Sequence, residues 1–193
     1  MKNNKRMYGL VIILSIVIVA YSVADLNRVK TIHLESGMMK TYENYEERME
    51  GSDLVVTAQL IGKPENILTP FDGFPDGYHL STIKIVNVIK GDPKLENTEI
   101  EIREPYYIME NGLEPGITEV YYGHYTKLQS DSTYVLFLGW VEAWNQYGIS
   151  SAHQGKFNID QMDKAEEDMQ RKDKGTTNLK EDIFSKLPIE KLN

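Results

Sequence analysis

The hydrophobic positions of this chain fall into one long unbroken run followed by many short ones. The long run covers residues 7–24, which carry no charge, and Lys2, Lys5 and Arg6 precede it. This length, with positive charges in front, is typical of a signal peptide or of a membrane anchor whose N-terminus stays in the cytoplasm. We therefore predict a signal peptide or a single transmembrane helix in residues 1–24, with the rest of the chain outside the cytoplasm.

The end of this run leaves cleavage open. Ser22-Val23-Ala24 matches the small-x-small pattern of signal-peptide cleavage sites, which would give a secreted protein that begins after Ala24. The run is also close to the roughly 20 residues that a helix needs to cross a bilayer, which favours an uncleaved anchor. The sequence thus predicts either a single-pass protein of the cell membrane with an extracellular C-terminal domain or a secreted protein. Residues 25–35 are predicted to form a tether.

A leading amphipathic helix is predicted before the short runs. Apolar residues recur at helical spacing in residues 38–49, and charged residues fill the opposite face. Ser36 can cap the start of this helix and Gly51 can end it. The apolar stripe consists of Met38, Met39, Tyr42, Tyr45 and Met49, and the charged face of Glu43, Glu46, Glu47 and Arg48.

The short runs that follow predict a mostly β domain. Apolar and polar residues alternate in residues 54–60, 80–90 and 98–103, as in strands with one buried face. The alternation changes phase near Ile85, which predicts a β-bulge. Residues 132–141 are almost all apolar and are predicted to be a strand buried on both faces. The residues of the third alternating run that should face solvent are Glu99, Glu101 and Arg103.

Together these elements predict a small five- to six-stranded antiparallel barrel or sandwich. The domain covers residues 36–160, including the leading helix. Its first inter-strand connection, residues 62–79, is rich in Pro, Gly and Asp and is predicted to be a long loop. Residues 161–193 are highly charged and are predicted to form a helical tail with a break at residues 175–177. The tail residues expected to pack are Ile183, Phe184 and Leu187.

The order of these runs resembles a group of small exported proteins of Bacillus and its relatives. The segments that carry the resemblance are SDLVVTAQLIG, STIKIVNVIKGD, KLQSDSTYVLFL and YGISSAHQGKFNI. Those proteins resemble OB-fold barrels of the netrin-like type, the fold of tissue inhibitors of metalloproteinases. The resemblance implies an OB-fold-like barrel over about residues 38–160. It implies no inhibitory residue, because such inhibitors chelate zinc through an N-terminal cysteine and carry disulfides, and this chain has no cysteine.

Charge and composition narrow the classes of function. The net charge is −8, and because three positive charges precede Asp25, the chain from Asp25 onward carries −11. Such an acidic surface repels phosphate backbones, so nucleic acid is not an expected partner. The absence of cysteine excludes disulfides, thiolate metal sites and a cysteine nucleophile.

Residues 147–160 hold the densest set of reactive side chains. Residues 148–152 resemble a nucleophile elbow centred on Ser150. A nucleophile elbow needs a helix directly after the serine, whereas an alternating strand follows here. We therefore predict no catalytic residue and interpret the segment as a hairpin. Its tight turns would use Gly148 and Gly155, and its core residues would be Phe157 and Ile159.

The histidines leave one alternative open. They lie far apart in sequence and show no spacing typical of a metal site, so no metal or cofactor is predicted. In a barrel, however, His79, His124 and His153 would converge if their strands met. The alternative to a binding domain is then an extracytoplasmic hydrolase or metal-binding protein that uses His124, His153 and nearby carboxylates.

Aromatic residues beside acidic ones favour a binding surface. OB folds commonly bind ligands on the face of strands 2 and 3 and the neighbouring loops. That position would use Phe74, Tyr78, Tyr106 and Tyr107 as ligand-binding residues. We predict a non-catalytic, membrane-tethered, extracytoplasmic domain that binds an envelope protein or a cell-wall component.

Overall fold

The structure, a computed structural model, describes residues 27–35, 39–70 and 72–187. Within these ranges the chain forms nine β-strands, arranged in a three-stranded and a six-stranded sheet, and three α-helices. The mostly β fold predicted from the alternating runs is confirmed. The predicted signal peptide or transmembrane helix lies in residues 1–24, outside the described residues.

Most of the secondary-structure elements along the chain are β-strands. The strands are β1 (Val29–Leu34), β2 (Leu54–Leu68), β3 (Gly77–Lys90), β4 (Glu99–Glu104), β5 (Tyr106–Glu110), β6 (Ile117–Tyr122), β7 (Thr133–Val141), β8 (Gln146–Ile149) and β9 (Lys156–Asn158). The α-helices are α1 (Tyr45–Glu50), α2 (Lys164–Gln170) and α3 (Lys174–Lys186). Single turns of 3₁₀ helix lie at Pro93–Leu95, Glu142–Trp144 and Ala152–Gln154. Strand β1 falls in the segment predicted to be a tether.

The chain divides into two compact units. In the smaller unit, the described residues are 27–32 and 108–119, and the amide of Ile117 donates to the carbonyl of Arg28 at 3.0 Å. The larger unit holds residues 33–107 and 120–187 of the described chain. The hydrophobic cores described below and all candidate functional residues belong to the larger unit.

The six-stranded sheet has the order β2-β3-β4-β8-β7-β9, and β2 also pairs with β7. The pairings are antiparallel except for β4 with β8, which run parallel with Arg103 opposite Gly148. As a result, each of the strands β2, β3, β4, β7 and β8 has a hydrogen-bonded neighbour on both edges. Where a strand is paired on both sides, as β2 is over residues 55–59, no backbone edge remains to pair with another chain.

Strands β2 and β3 form a longer ribbon than the sequence predicted. Leu68 pairs with Gly77, so most of the predicted loop over residues 62–79 is paired strand. The register shifts between Ile61 and Glu65, and the bulge there accommodates Gly and Pro residues that read as a loop in sequence. The loop prediction was therefore wrong in extent.

The bulge predicted near Ile85 is confirmed. Thr57 pairs with Asn87 and the next residue, Ala58, pairs with Ile85, so β3 carries one extra residue at this point. The extra residue changes which side chains of β3 face inward, as the phase change in sequence indicated.

Two hydrophobic clusters cover opposite faces of β7, so the prediction of a strand buried on both faces is confirmed. Tyr134 and Leu136 belong to the first cluster, which gathers inward residues of β2, β3 and β4. Val135 and Phe137 belong to the second, which β7 shares with β2, β9 and the helices. Residues Thr133 to Leu138 are all buried.

Helix α1 is shorter than the predicted leading helix. Asn44 caps it by accepting a hydrogen bond from the amide of Glu47 at 2.9 Å, and Gly51 ends it as predicted. The pair Asn44 and Glu47 has capping-box spacing, which explains why the helix begins there rather than at residue 36. Residues 39–42 are not helical, and residues 36–38 lie outside the described ranges. Arg48, placed on the exposed face by the sequence, is fully buried.

Strands β8 and β9 do not form the predicted hairpin with each other. Both pair antiparallel with β7, on the edge opposite β2, so they follow one another along the same neighbour. Between β8 and β9, residues 150–155 leave the sheet and include the 3₁₀ turn at Ala152–Gln154; this segment is called the excursion. Phe137 of β7 holds both ends of this segment. Its carbonyl accepts a hydrogen bond from the amide of Ser150 at 3.3 Å, and the Phe137 amide donates to the carbonyl of Gly155 at 2.8 Å. Phe157 and Ile159 are buried as predicted, in the second cluster.

The C-terminal tail is helical, but its break lies earlier than predicted. Asp173 caps α3 by accepting from the amides of Gly175 and Thr176, so residues 175–177 open a helix instead of ending one. Leu179, Ile183 and Leu187 are buried in the second cluster and Phe184 packs against it, as expected for the packed tail residues.

Candidate functional site

A cleft of about 410 Å³ opens in the larger unit where β3 begins, β4 ends and β7 passes into β8. Three of its residues lie side by side across three strands, because Arg103 pairs with Gly148 and Gly148 pairs with Gly139. The two glycines leave the space beside Arg103 open, and glycine inside a strand often marks a close approach by another group. The remaining side chains around the cleft include Thr69, Asp76, Tyr78, Glu104, Tyr122, Trp140, Trp144 and Ser150.

Arg103 occupies the centre of this cleft. Its guanidinium carbon lies 3.3 Å from the ring centroid of Tyr78 and 3.4 Å from that of Trp144, so the group is stacked on both faces. The side chain was predicted to face solvent, yet only 9% of the residue is exposed. Stacking on two rings stabilises the cation and leaves the edge of the guanidinium plane for hydrogen bonds.

One nitrogen of this guanidinium has no partner among the described residues. This atom, Nη1 of Arg103, is buried and makes no hydrogen bond there. Burial lowers the pKa of Arg103, while Tyr78 and Asp76 act in the opposite direction. A buried donor without an acceptor is costly, by about 1–3 kcal/mol and more for a charged group. Arg103 is thus the group in the cleft that gains most from an added acceptor.

The two tryptophans form the outer wall of the cleft. Trp140 is 40% exposed and packs edge-on against Tyr147, with ring centroids 4.9 Å apart. Trp144 is 56% exposed and lies on the single helical turn between β7 and β8, which ends at Asn145 in a left-handed conformation. The chain contains two tryptophans, and both line this cleft.

Acidic groups flank the arginine. The carboxylate of Asp76 accepts hydrogen bonds from the Tyr122 hydroxyl and, at 2.7 Å, from the amide of Gly77. Burial and this carboxylate both raise the pKa of Tyr122, so the hydroxyl stays protonated. The cleft therefore combines one stacked cation with a carboxylate and exposed aromatic surface.

The structure places the four predicted binding residues in different environments. Tyr78 lines the cleft and stacks on Arg103. Phe74 is 72% exposed in the turn between β2 and β3. Tyr106 and Tyr107 are buried, the first in the hydrophobic cluster beneath the cleft and the second with its hydroxyl donating to Pro75 at 2.9 Å. The sequence missed Arg103, Trp140 and Trp144, although glycines inside two strand patterns mark the same place.

Glu104 lies under the cleft in a closed network. One carboxylate oxygen accepts from the hydroxyl of Ser81, and the other accepts from the Tyr125 hydroxyl at 2.7 Å and the Leu128 amide at 3.0 Å. The side chain is fully buried, and burial raises the pKa of Glu104 despite these donors. The carboxyl group is already saturated by its own protein and is not free for a ligand.

Ser150, the centre of the sequence pattern that resembled a nucleophile elbow, is held by Arg48. Its hydroxyl accepts from Nη2 of Arg48 at 2.7 Å and lies 3.2 Å from the carbonyl of Phe137. His153, three residues later, instead lies 3.2 Å from the carboxylate of Asp173. The Ser150 hydroxyl therefore lies between Arg48 of α1 and the Phe137 carbonyl of β7.

Three histidines come together away from the cleft. Ring centroids lie 6.2 Å apart for His33 and His124 and 5.7 Å apart for His124 and His153. His79 does not join them but stacks on Tyr106, at 4.0 Å between centroids. Across the described residues, no group of three or more His, Asp or Glu side chains is placed to hold a metal ion. The alternative of a hydrolase or metal-binding protein requires His124 and His153 to lie close together, and their rings do so.

A buried ion cluster joins β9 to the tail. Nζ of Lys156 lies 2.8 Å from Asp163 and 3.2 Å from Glu166, and all three side chains are buried. Burial raises the pKa of Asp163, but the attraction of Lys156 and the hydrogen bonds around it outweigh that effect and lower it. Nζ of Lys180 lies 3.4 Å from Glu166 as well, so two lysines balance the two carboxylates.

Comparisons with known proteins add no family. The chain matches no protein-family model, and a search of curated proteins finds no match. In residues 27–187, as far as they are described, no helix has both the length and the apolar character needed to cross a bilayer.

Proposed function

We propose that the strands of the larger unit form an OB-type barrel. The support is the order of pairing, in which β2, β3, β4, β8 and β7 follow one another and β7 pairs again with β2. The parallel pair β4 and β8 lies between antiparallel neighbours, as a five-stranded Greek-key barrel requires. In that numbering β3 and β4 are barrel strands 2 and 3.

We infer that the domain is a non-catalytic binding module and that the cleft around Arg103 is its ligand site. The observation that carries the proposal is the position of the cleft. It combines strands β3 and β4 with the β2–β3 turn and the β7–β8 turn, the places where OB folds bind their ligands. Exposed Trp140 and Trp144 add the aromatic anchors that binding sites favour.

The cellular setting in this proposal comes from the sequence. The uncharged run at residues 7–24, with positive charges before it, supports a membrane-tethered or secreted domain outside the cytoplasm. The ligand would then be an envelope protein or a cell-wall component. The net negative charge of the chain argues against nucleic acid.

Hydrogen–deuterium exchange of the full-length protein in mild detergent tests this function. The protein is incubated with a solubilised envelope extract, and exchange is compared with and without the extract. Slower exchange confined to residues 69–78, 103–105 and 139–150 supports the cleft as the binding site.

A matched pair of variants makes the result specific. Trp144→Ala removes an exposed aromatic wall of the cleft, whereas Met162→Ala removes an exposed apolar side chain outside it. The proposal requires loss of protection with the first and its retention with the second. Protection elsewhere, or none with any extract fraction, contradicts it.

A further inference from the structure

We propose that the cleft recognises a ligand with a single carboxylate attached to a flat, apolar body, and that Arg103 binds the carboxylate. This inference rests on the proposed function, since it names the chemistry of the ligand for that same cleft. A free C-terminus of a peptide and a small aromatic acid both have this chemistry.

The unpaired nitrogen of Arg103 indicates an acceptor. Nη1 has no partner in the described structure, and the residue that carries it is nine-tenths buried at the centre of the cleft. The rings of Tyr78 and Trp144 cover the two faces of the guanidinium plane, so a new partner has to approach the edge. A carboxylate is the group whose planar pair of oxygens fits that edge.

The charge of the cleft favours one negative charge on the ligand. Among the described residues, Arg103 is the only cationic side chain that lines the cleft, and the carboxylate of Asp76 lines it as well. A dianion such as a phosphate monoester would bring a second charge towards this carboxylate without a second cation to balance it. The cleft therefore discriminates against phosphate in favour of a carboxylate.

The apolar wall defines the rest of the ligand. Trp140 and Trp144 present exposed ring surface next to Arg103, and Gly139 and Gly148 leave the floor between them without side chains. A flat apolar body lies well on such a surface because aromatic rings stack with favourable geometry. Nη1 is itself buried, so the side chains at the edge of the guanidinium group have to shift when a carboxylate reaches it.

Tryptophan emission gives a direct measurement, because both tryptophans of the chain lie at the cleft. The full-length protein is titrated with 3-phenylpropionate, with 3-phenylpropanamide, which has the same body without the charge, and with phenyl phosphate. We expect a saturable change in emission with the acid. Because a hydrogen bond to a charged group contributes about 1.5–3 kcal/mol, the amide should bind at least about tenfold more weakly. Phenyl phosphate should also bind more weakly than the acid.

Two variants test whether Arg103 is the residue that binds the carboxylate of the ligand. Arg103→Gln should weaken binding of the acid about tenfold or more and leave binding of the amide nearly unchanged. Arg171→Gln, which removes an exposed arginine far outside the cleft-lining set, should leave both unchanged. A peptide with a free C-terminal carboxylate and the same peptide with a C-terminal amide are then tested as competitors of 3-phenylpropionate. Competition by the free peptide alone identifies a peptide C-terminus as the source of the ligand, and competition by neither identifies a small aromatic acid.

The outcomes separate this inference from the proposed function. Equal affinity for acid and amide, or tighter binding of phenyl phosphate, overturns the carboxylate assignment while the cleft remains a binding site. No emission change with any probe, together with cleft protection by envelope extract, also overturns it and keeps the proposed function. Acid binding that survives Arg103→Gln moves the carboxylate away from Arg103 and overturns the assignment.

Discussion

Arg48 and Ser150, 102 residues apart in the chain, are joined by a hydrogen bond of 2.7 Å from Nη2 to the serine hydroxyl. The same guanidinium donates to the carbonyl of Gln154 at 2.8 Å and lies 4.6 Å from the ring centroid of Phe137. Arg48 thus fastens α1 to the excursion between β8 and β9. Its burial lowers its pKa to about 10, which leaves the group charged at neutral pH.

Loss of this arginine should be strongly destabilising. Arg48→Met leaves the carbonyls of Ser150 and Gln154 without this donor, and each buried acceptor left unpaired costs about 1–3 kcal/mol. Chemical denaturation of the variant measures the free energy of unfolding. Glu50→Ala, on the exposed side of the same helix, should change it by less than about 0.5 kcal/mol. Equal effects of the two substitutions would refute a structural role for Arg48.

The Lys156 cluster should show strong coupling. Lys156→Met leaves Asp163 and Glu166 buried without their nearest cation, and we expect a loss of about 3–5 kcal/mol. The triple variant Lys156→Met, Asp163→Asn, Glu166→Gln removes the unpaired charges and should recover part of that loss. Urea denaturation of the single and triple variants measures the difference. Additive effects would mean that the three groups do not interact.

Glu104 should make the protein less stable as pH rises. Its folded-state pKa is raised by burial, so the folded state binds a proton more tightly than the unfolded chain. The contribution is present in full below the unfolded pKa of about 4.5 and is lost as pH rises through the folded value. Glu104→Gln should flatten this slope, as followed by urea denaturation between pH 4 and 8. A slope that stays the same in Glu104→Gln would contradict this assignment.

The comparison of two Glu104 variants tests the hydrogen-bond network. In Glu104→Gln the amide oxygen still accepts from Tyr125 and Leu128, and the Ser81 hydroxyl can turn to accept from the amide nitrogen. We expect its stability at neutral pH to lie within about 1 kcal/mol of the parent. Glu104→Leu leaves three donors unpaired and should cost about 3 kcal/mol or more. Similar stabilities would show that the network contributes little.

His153 should act in the opposite direction on the pH scale. Burial lowers its pKa below the usual 6.5, although Asp173 partly compensates, and His124 adds to the lowering. The unfolded chain then binds the proton more tightly, so stability falls as pH drops below about 6.5. Thermal unfolding between pH 5 and 8 should show a smaller slope for His153→Gln. An unchanged slope in His153→Gln would contradict this role.

Two glycines of one segment should respond differently to alanine. A Cβ on Gly155 would meet the carbonyl of Ser150 and lie 2.6 Å from Cγ2 of Ile149, so Gly155→Ala should cost about 1–3 kcal/mol. A Cβ on Gly148 would lie 3.7 Å from Arg103, an ordinary contact, so Gly148→Ala should be tolerated. Melting temperatures of the two variants decide. The reverse order would contradict the described path of the excursion.

Period-2 patterning was sufficient to predict that β3 and β4 are strands, but not that Arg103 and Glu104 of β4 are buried. The alternation in residues 98–103 and the phase change near Ile85 predicted β4 and the bulge of β3. Loop signals were less reliable, because Gly and Pro in residues 62–64 sit in a bulge of a ribbon that continues to Leu68. The pairing of β8 and β9 with one edge of β7 depends on long-range contacts that local periodicity does not contain.

Charged residues were the main obstacle to predicting the candidate site. Arg48 and Arg103 were predicted to face solvent, and Lys156 carried no prediction, since a hydropathy pattern assigns cations to the surface. Each is buried because rings, carbonyls or carboxylates from distant segments surround it. Tyr78 was predicted to bind ligand and does line the cleft, whereas Tyr106 and Tyr107 pack in the interior.

The partners of Lys156 follow it in the chain by 7 and 10 residues, and they lie at the start of the tail. During synthesis, these carboxylates emerge from the ribosome only after all nine strands have done so. Until then the lysine has no counter-ion for burial beside β7, and the face later covered by Leu179 and Ile183 remains open. Final packing of this domain therefore waits until α2 and α3 have been synthesised, and a chain terminated at the last strand would leave Lys156 and the second cluster open to solvent.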